Sequence, residues 1–191
     1  MNLSDDLSSS HSKEHLRRLS KVKIKEPLLV ERFISYDLYQ KAESLLAYFP
    51  LAYEVDITLL LHKAMDDKKQ LYLPKVMNQS MMTFFEVRNL TEDLSIGAYG
   101  MLEPLSSLPV WHPSQKPTIM LAPALATTIS GYRLGHGGGF YDRFLASVAT
   151  DTLDTIAVVD KTFSQCVFPT EVHDIPLHYI LTQQQLIQSI L

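Results

Sequence analysis

The chain has little cysteine, little glycine and no surplus of positive charge. A single cysteine, Cys166, among 191 residues excludes an internal disulfide and a thiolate-built zinc site, and it points to a reducing compartment. The 17 Lys and Arg are outnumbered by 21 Asp and Glu, for a formal charge of −4. That excludes the net basic face that broad nucleic-acid binding requires. No apolar run approaches the roughly 18 residues of a membrane-spanning helix. The polar start, with Asp5 and Asp6, lacks the charged-then-apolar profile of a secretory leader. These absences lead us to expect a cytoplasmic protein with neither nucleic acid nor membrane as a partner. What is present, 46% hydrophobic and 20% charged residues, is ordinary globular composition. We expect a flexible polar lead-in over residues 1–12 and a single domain over 13–191.

Periodicity and turn signals divide that domain into alternating elements. Lys13, Arg17, Arg18, Lys21, Lys23 and Lys25 form a basic stretch. On a helix, Lys13 and Arg17 share one face; such a face is either a solvated surface or a grip for an anion. A helix is expected from Pro27 through Lys41, a strand over 44–51, a helix over 54–68, and strands over 70–76 and 82–87. Glycines and prolines between 91 and 117 read as turns and loops. The apolar run 118–125 reads as a buried strand, followed by a glycine loop, a helix over 140–150 and strands over 155–159 and 178–182. Strand, glycine loop, helix, strand is a βαβ unit with parallel strands. The whole pattern predicts an α/β three-layer sandwich, Rossmann-like, with a mostly parallel sheet and helices on both faces.

Five of the seven glycines fall between Gly131 and Gly139. A glycine-rich strand-to-helix loop aims free backbone N–H groups and a helix N-terminus at one point, which suits phosphate. Arg133 adds a fixed cation. The loop lacks the Gly-Lys-Ser/Thr of a Walker A sequence, and Phe140 breaks the spacing of a dinucleotide fingerprint. Asp142, at the start of the next helix, either complements the helix dipole or holds Mg2+ beside phosphates. Cys166, His173 and His178 fit no zinc spacing, and no Gly-x-Ser-x-Gly elbow is present.

The segment Arg133-Leu-Gly-His-Gly-Gly-Gly-Phe-Tyr-Asp142-Arg143-Phe-Leu145 closely resembles the signature of the 5-formyltetrahydrofolate cyclo-ligase (5,10-methenyltetrahydrofolate synthetase) family. Lys13-Glu-His-Leu-Arg17, Glu54-Val-Asp-Ile57, Leu73-Pro-Lys-Val76, Glu103-Pro104 and His173-Asp174 resemble further landmarks of that family in the same order. The resemblance implies cyclisation of 5-formyltetrahydrofolate to 5,10-methenyltetrahydrofolate, driven by ATP with Mg2+, through phosphorylation of the formyl oxygen. Lys13, Arg17, Arg133, Leu134, Gly135, His136, Gly137, Gly138, Gly139, Phe140 and Tyr141 would bind ATP, with Arg133 catalytic. Phe49, Glu54, His136, Gly137, Gly138, Gly139 and Phe140 would contact the folate. Asp142 and Asp174 would hold Mg2+. The implied partners are these two small molecules, and the chain would act as a monomer. The sequence departs from the family's pattern at Thr127 and Thr128, where Phe-Asp is usual, at Phe140, where tyrosine is usual, and at His136. A non-catalytic folate- or nucleotide-binding regulator and a phosphosugar-handling α/β protein stand as alternatives.

Overall fold

A computed structural model describes residues 12–20, 27–97, 100–148 and 153–190. Its elements run α1 (Lys13–Leu19), α2 (Pro27–Ile34), α3 (Asp37–Lys41), β1 (Ser44–Leu46), α4 (Thr58–Asp66), β2 (Gln70–Val76), β3 (Met82–Glu86), β4 (Leu94–Ile96) and β5 (Leu102–Pro104). They continue with β6 (Thr118–Pro123), β7 (Ala126–Thr127), β8 (Arg133–Leu134), α5 (Phe140–Ser147), β9 (Leu153–Val158), a 3-10 turn (Lys161–Phe163), β10 (Tyr179–Leu181) and β11 (Leu186–Gln188). Seven strands form one sheet in the order β11-β10-β9-β6-β1-β2-β3. The five central strands are parallel, and the two edge strands, β3 and β11, run antiparallel to their neighbours.

Strand alternation sends successive side chains to opposite faces, and helices cover both. One face joins Leu46, Tyr72, Met120 and Phe84 to Leu16 of α1 and Phe144 of α5. The Phe144 ring lies 4.8 Å from that of Phe84 and 5.9 Å from that of Trp111; burying such a ring contributes about 2–3 kcal/mol. The other face joins Leu45, Leu71, Ile119 and Leu121 to Phe33 of α2, Tyr39 of α3 and Leu60 and Leu61 of α4. The expected three-layer α/β sandwich with a mostly parallel sheet is therefore present.

Several boundaries differ from the sequence reading. The expected helix from Pro27 to Lys41 is two helices, because the Ser35 hydroxyl donates to the Arg32 carbonyl at 2.7 Å and closes the first. The strand expected over 44–51 ends at Leu46. The helix expected from Glu54 starts at Thr58, whose N–H is taken by Asp56 Oδ1 at 3.0 Å. Glu54 instead closes a turn, accepting from the Leu51 N–H at 2.9 Å. Within 91–117, read as turns and loops, β4 pairs with β5. A second hairpin, β7–β8, and edge strand β11 are two or three residues long, too short for any periodicity to show. Helix α1 ends at Leu19, and Lys21, Lys23, Lys25, residues 1–11 of the lead-in and residues 149–150 of the last expected helix lie outside the described residues. No helix among the described residues is long and apolar enough to cross a membrane.

The strand order places the reversal between β1 and β6: from β1 the chain moves to β2 on one side, while β6, β9 and β10 build the other. In open α/β sheets the crevice beyond the carboxyl ends of such a strand pair is where ligands bind. The chain leaving β1 carries Tyr53 and Glu54, and the chain leaving β6 carries the β7–β8 hairpin and the glycine loop.

Candidate active site

The β7–β8 hairpin, not a free loop, presents Arg133. Its Nη2 donates to Asp142 Oδ2 at 3.0 Å, with the two side chains 5% and 14% exposed, and its guanidinium lies 5.1 Å over the Tyr141 ring. The Nε of Arg133 is buried with no hydrogen-bond partner among the described residues. A buried donor of this kind is costly unless something satisfies it.

Asp142 Oδ1 accepts from the N–H of Ile175 at 3.2 Å, which draws the 171–177 turn against α5. There Asp174 Oδ2 accepts from the Glu171 N–H at 2.8 Å and from Lys13 Nζ at 3.2 Å. Lys13 Nζ also lies 3.3 Å from Glu171 Oε1. One helical turn further along α1, Arg17 Nε donates to the Gly135 carbonyl at 3.0 Å. The sequence thus makes α1 a strap: Ser12 caps it by accepting from the His15 N–H, Leu16 anchors it in the core, and Lys13 and Arg17 grip the site.

At the other end of the loop, His136 Nε2 lies 3.2 Å from Glu54 Oε1, and its ring meets that of Tyr53 edge-on at 5.1 Å. The Glu54 side chain is only 6% exposed. Burial pushes the phenols of Tyr48 and Tyr141 well above their ordinary value, and the nearby Glu54 carboxylate pushes them further; Arg133 offsets part of this at Tyr141. Both therefore stay neutral donors. Tyr48 spends its proton on the Val55 carbonyl at 2.8 Å.

Between these ends the loop is open. His136, Gly137 and Gly138 are exposed, and among the described residues no acceptor engages the backbone N–H groups of His136 through Gly139. Gly139 caps α5 with φ +64° and no side-chain cap. The left-handed φ is what calls for glycine here; a Cβ would sit 2.6 Å from Arg143 Nη1, the movable end of a flexible side chain.

Lys13, Arg17, Glu54, Arg133, Gly135, His136, Tyr141, Asp142 and Asp174 are joined by these contacts into one continuous site. Phe140 borders it, half-buried, with its ring 5.2 Å beneath Arg143. Leu134 turns its side chain into the core and is 2% exposed, so only its backbone can serve the site. Phe49 packs against the α2–α4 face of the sheet. Asp142 and Asp174 are hard oxygen donors of the kind Mg2+ takes together with phosphate oxygens. Each now has a cation partner, and no group of three or more His, Cys, Asp or Glu side chains among the described residues is arranged to hold a metal alone. Sequence reading missed Tyr53, Glu171, the Ile175 N–H and Arg143. Of these only Arg143 had a signal, since it lies inside the glycine motif.

The model of the 5-formyltetrahydrofolate cyclo-ligase family matches residues 10–183. The chain is 39% identical over 90 residues to 5-formyltetrahydrofolate cyclo-ligase of Mycolicibacterium smegmatis, a match covering 46% of this chain and 44% of that protein. It is 27% identical over 143 residues to 5-formyltetrahydrofolate cyclo-ligase of Haemophilus influenzae, covering 74% of this chain and 76% of the other. Among solved structures, 5,10-methenyltetrahydrofolate synthetase of Aquifex aeolicus superposes with a TM-score of 0.69 at 27% identity, covering 97% of this chain and 88% of that one. The Mycoplasma pneumoniae synthetase shares the fold at a TM-score of 0.62 and 17% identity, covering 94% and 93%. The chain belongs to the 5-formyltetrahydrofolate cyclo-ligase family of enzymes.

Proposed function

We propose that this chain converts 5-formyltetrahydrofolate and ATP into 5,10-methenyltetrahydrofolate, ADP and phosphate. The observation that carries the reading is the gathering of three cations beside an open glycine loop at the reversal of the sheet: Arg17 holds the Gly135 carbonyl, Arg133 pairs with Asp142, and Lys13 pairs with Asp174. The chemistry asks for such a site. The formyl oxygen attacks the γ-phosphorus of ATP; its bond to phosphorus forms as the bond to ADP breaks. The folate's neighbouring nitrogen then attacks the activated carbon and loses its proton, and phosphate leaves with the formyl oxygen. Phosphoryl transfer of this kind needs positioning and charge neutralisation more than covalent help.

In this reading the loop N–H groups and the N-terminus of α5 bind the phosphates. Arg133, with its unspent Nε, faces the transferring group. Lys13 and Arg17 exchange their present partners for phosphate oxygens. Glu54, buried and already paired with His136, accepts from the donor groups of the pterin. Asp142 and Asp174 would hold Mg2+, which supplies charge neutralisation on the phosphates. The Cys166 thiol, free and buried, fits the cytoplasmic setting we assign.

Incubation with 5-formyltetrahydrofolate, ATP and Mg2+ tests the reading by the absorbance of the methenyl product, which should form one-to-one with ADP. Calorimetric binding of ATP and folate with no product at high protein concentration would select a non-catalytic regulator instead.

A further inference from the structure

We infer that Arg143 is a positioning residue that sets the direction of the phosphate-facing amides in the glycine loop. The inference rests on the proposed ATP site and assigns it a residue outside the groups that would touch the nucleotide. Arg143 lies on the first turn of α5 and is exposed. Its guanidinium bridges two segments: Nη2 donates to the Gly138 carbonyl at 2.6 Å, and Nε donates to the Ser80 carbonyl, in the turn between β2 and β3, at 2.6 Å. The Phe140 ring lies 5.2 Å from the same guanidinium, which limits its swing.

A trans peptide is planar, so its C=O and the following N–H point in opposite directions. Holding the Gly138 carbonyl toward Arg143 therefore turns the Gly139 N–H away from Arg143. Arg17 does the same one step earlier: its Nε holds the Gly135 carbonyl at 3.0 Å, which turns the His136 N–H the other way. Two arginines from two helices thus fix two peptide planes of a stretch whose glycines would otherwise rotate freely. An anion cradle built from backbone N–H groups works only if its carbonyls face elsewhere, and a carbonyl turned inward would repel phosphate. Arg143 also ties this orientation to the body of the sheet through Ser80, so the loop is held before ATP arrives.

The test compares the full-length chain with Arg143→Ala and Arg143→Lys. ATP affinity is read by calorimetry and KM for ATP and folate by turnover. Loss of a charge-assisted hydrogen bond that orients the cradle should weaken ATP binding about tenfold in Arg143→Ala. KM for folate should stay within about twofold of wild type. Because Arg143 is exposed, the melting temperature should change little. Arg143→Lys keeps the charge but loses the fixed fork that reaches two carbonyls, so it should behave as Arg143→Ala does. Unchanged ATP affinity in Arg143→Ala, an equal rise in both KM values, or full recovery in Arg143→Lys would overturn the inference while leaving the ligase reading in place. A wild-type chain that bound no ATP would instead overturn the ligase reading, and the inference with it.

Discussion

Arg133 reaches Asp142 through one guanidinium nitrogen at 3.0 Å while its Nε is buried and meets no partner among the described residues. The arginine is thus only partly spent on structure. Arg133→Ala should lower kcat by about a thousandfold or more, the scale of an arginine that stabilises a transferring phosphoryl group. It should also lower stability by about 3 kcal/mol, because Asp142 would be left largely buried without its cation. The double change Arg133→Met with Asp142→Asn separates the two effects. Denaturant melts should recover much of the stability, since no charge is stranded, while turnover stays lost. Recovery of turnover in the double variant would sink the assignment of Arg133.

Lys13 pairs with Asp174 at 3.2 Å, so a lysine sits on one of the two carboxylates assigned to Mg2+. Removing the lysine and removing the carboxylate should therefore have separable signatures. Lys13→Ala should raise KM for ATP about tenfold, as expected for loss of a charge-assisted phosphate contact, without raising the Mg2+ concentration needed for half-maximal rate. Asp174→Asn should raise that Mg2+ requirement. Steady-state rates over a grid of Mg2+ and ATP concentrations read both. A matching rise in Mg2+ requirement in the two variants would refute the exchange of partners.

The layers and the glycine loop were legible because their signals are local. Buried strands such as β6 and β9 are continuous apolar runs, and five clustered glycines have few other uses. The joints of the site were not legible, because they depend on contacts far apart in sequence. Nothing near Asp174 announces that Lys13 will meet it. Nothing near Glu54 announces His136, and its neighbours made it look like the start of a helix rather than the lock of a turn. Arg133 read as part of a loop because a two-residue strand leaves no period to detect. Two family landmarks that stood apart in the sequence also meet: Lys75 Nζ donates to the Pro104 carbonyl at 2.6 Å, and the Val76 N–H donates to Glu103 Oε1 at 3.3 Å. They clip the β4–β5 hairpin to β2, a structural task.

Burial pushes the Cys166 thiol up to about 11. Its folded value is raised, so the stability it contributes is full below the ordinary thiol value near 9.0 and is lost as pH rises toward 11. Melting temperature should therefore fall over this window more steeply in the wild type than in Cys166→Ala. At pH 8 the native thiol should resist iodoacetamide and become reactive on unfolding, since the thiolate is the nucleophile. Rapid alkylation of the native protein would contradict the buried placement.

Glu54 holds two partners at once: Oε2 takes the Leu51 N–H at 2.9 Å, and Oε1 faces His136 Nε2 at 3.2 Å. A pterin donor must therefore share or displace the imidazole. Glu54→Gln keeps the shape and can still accept from Leu51, but it removes the charge that would make the pterin contact strong. KM for 5-formyltetrahydrofolate should rise about tenfold or more, while KM for ATP stays within about threefold. His136→Phe removes the competitor and leaves the carboxylate, so KM for the folate should fall or hold steady in that variant. In the double variant the benefit of losing His136 should shrink, because the residue acts through Glu54. Equal and additive effects on both substrates would place Glu54 in the fold of the loop rather than in contact with the pterin.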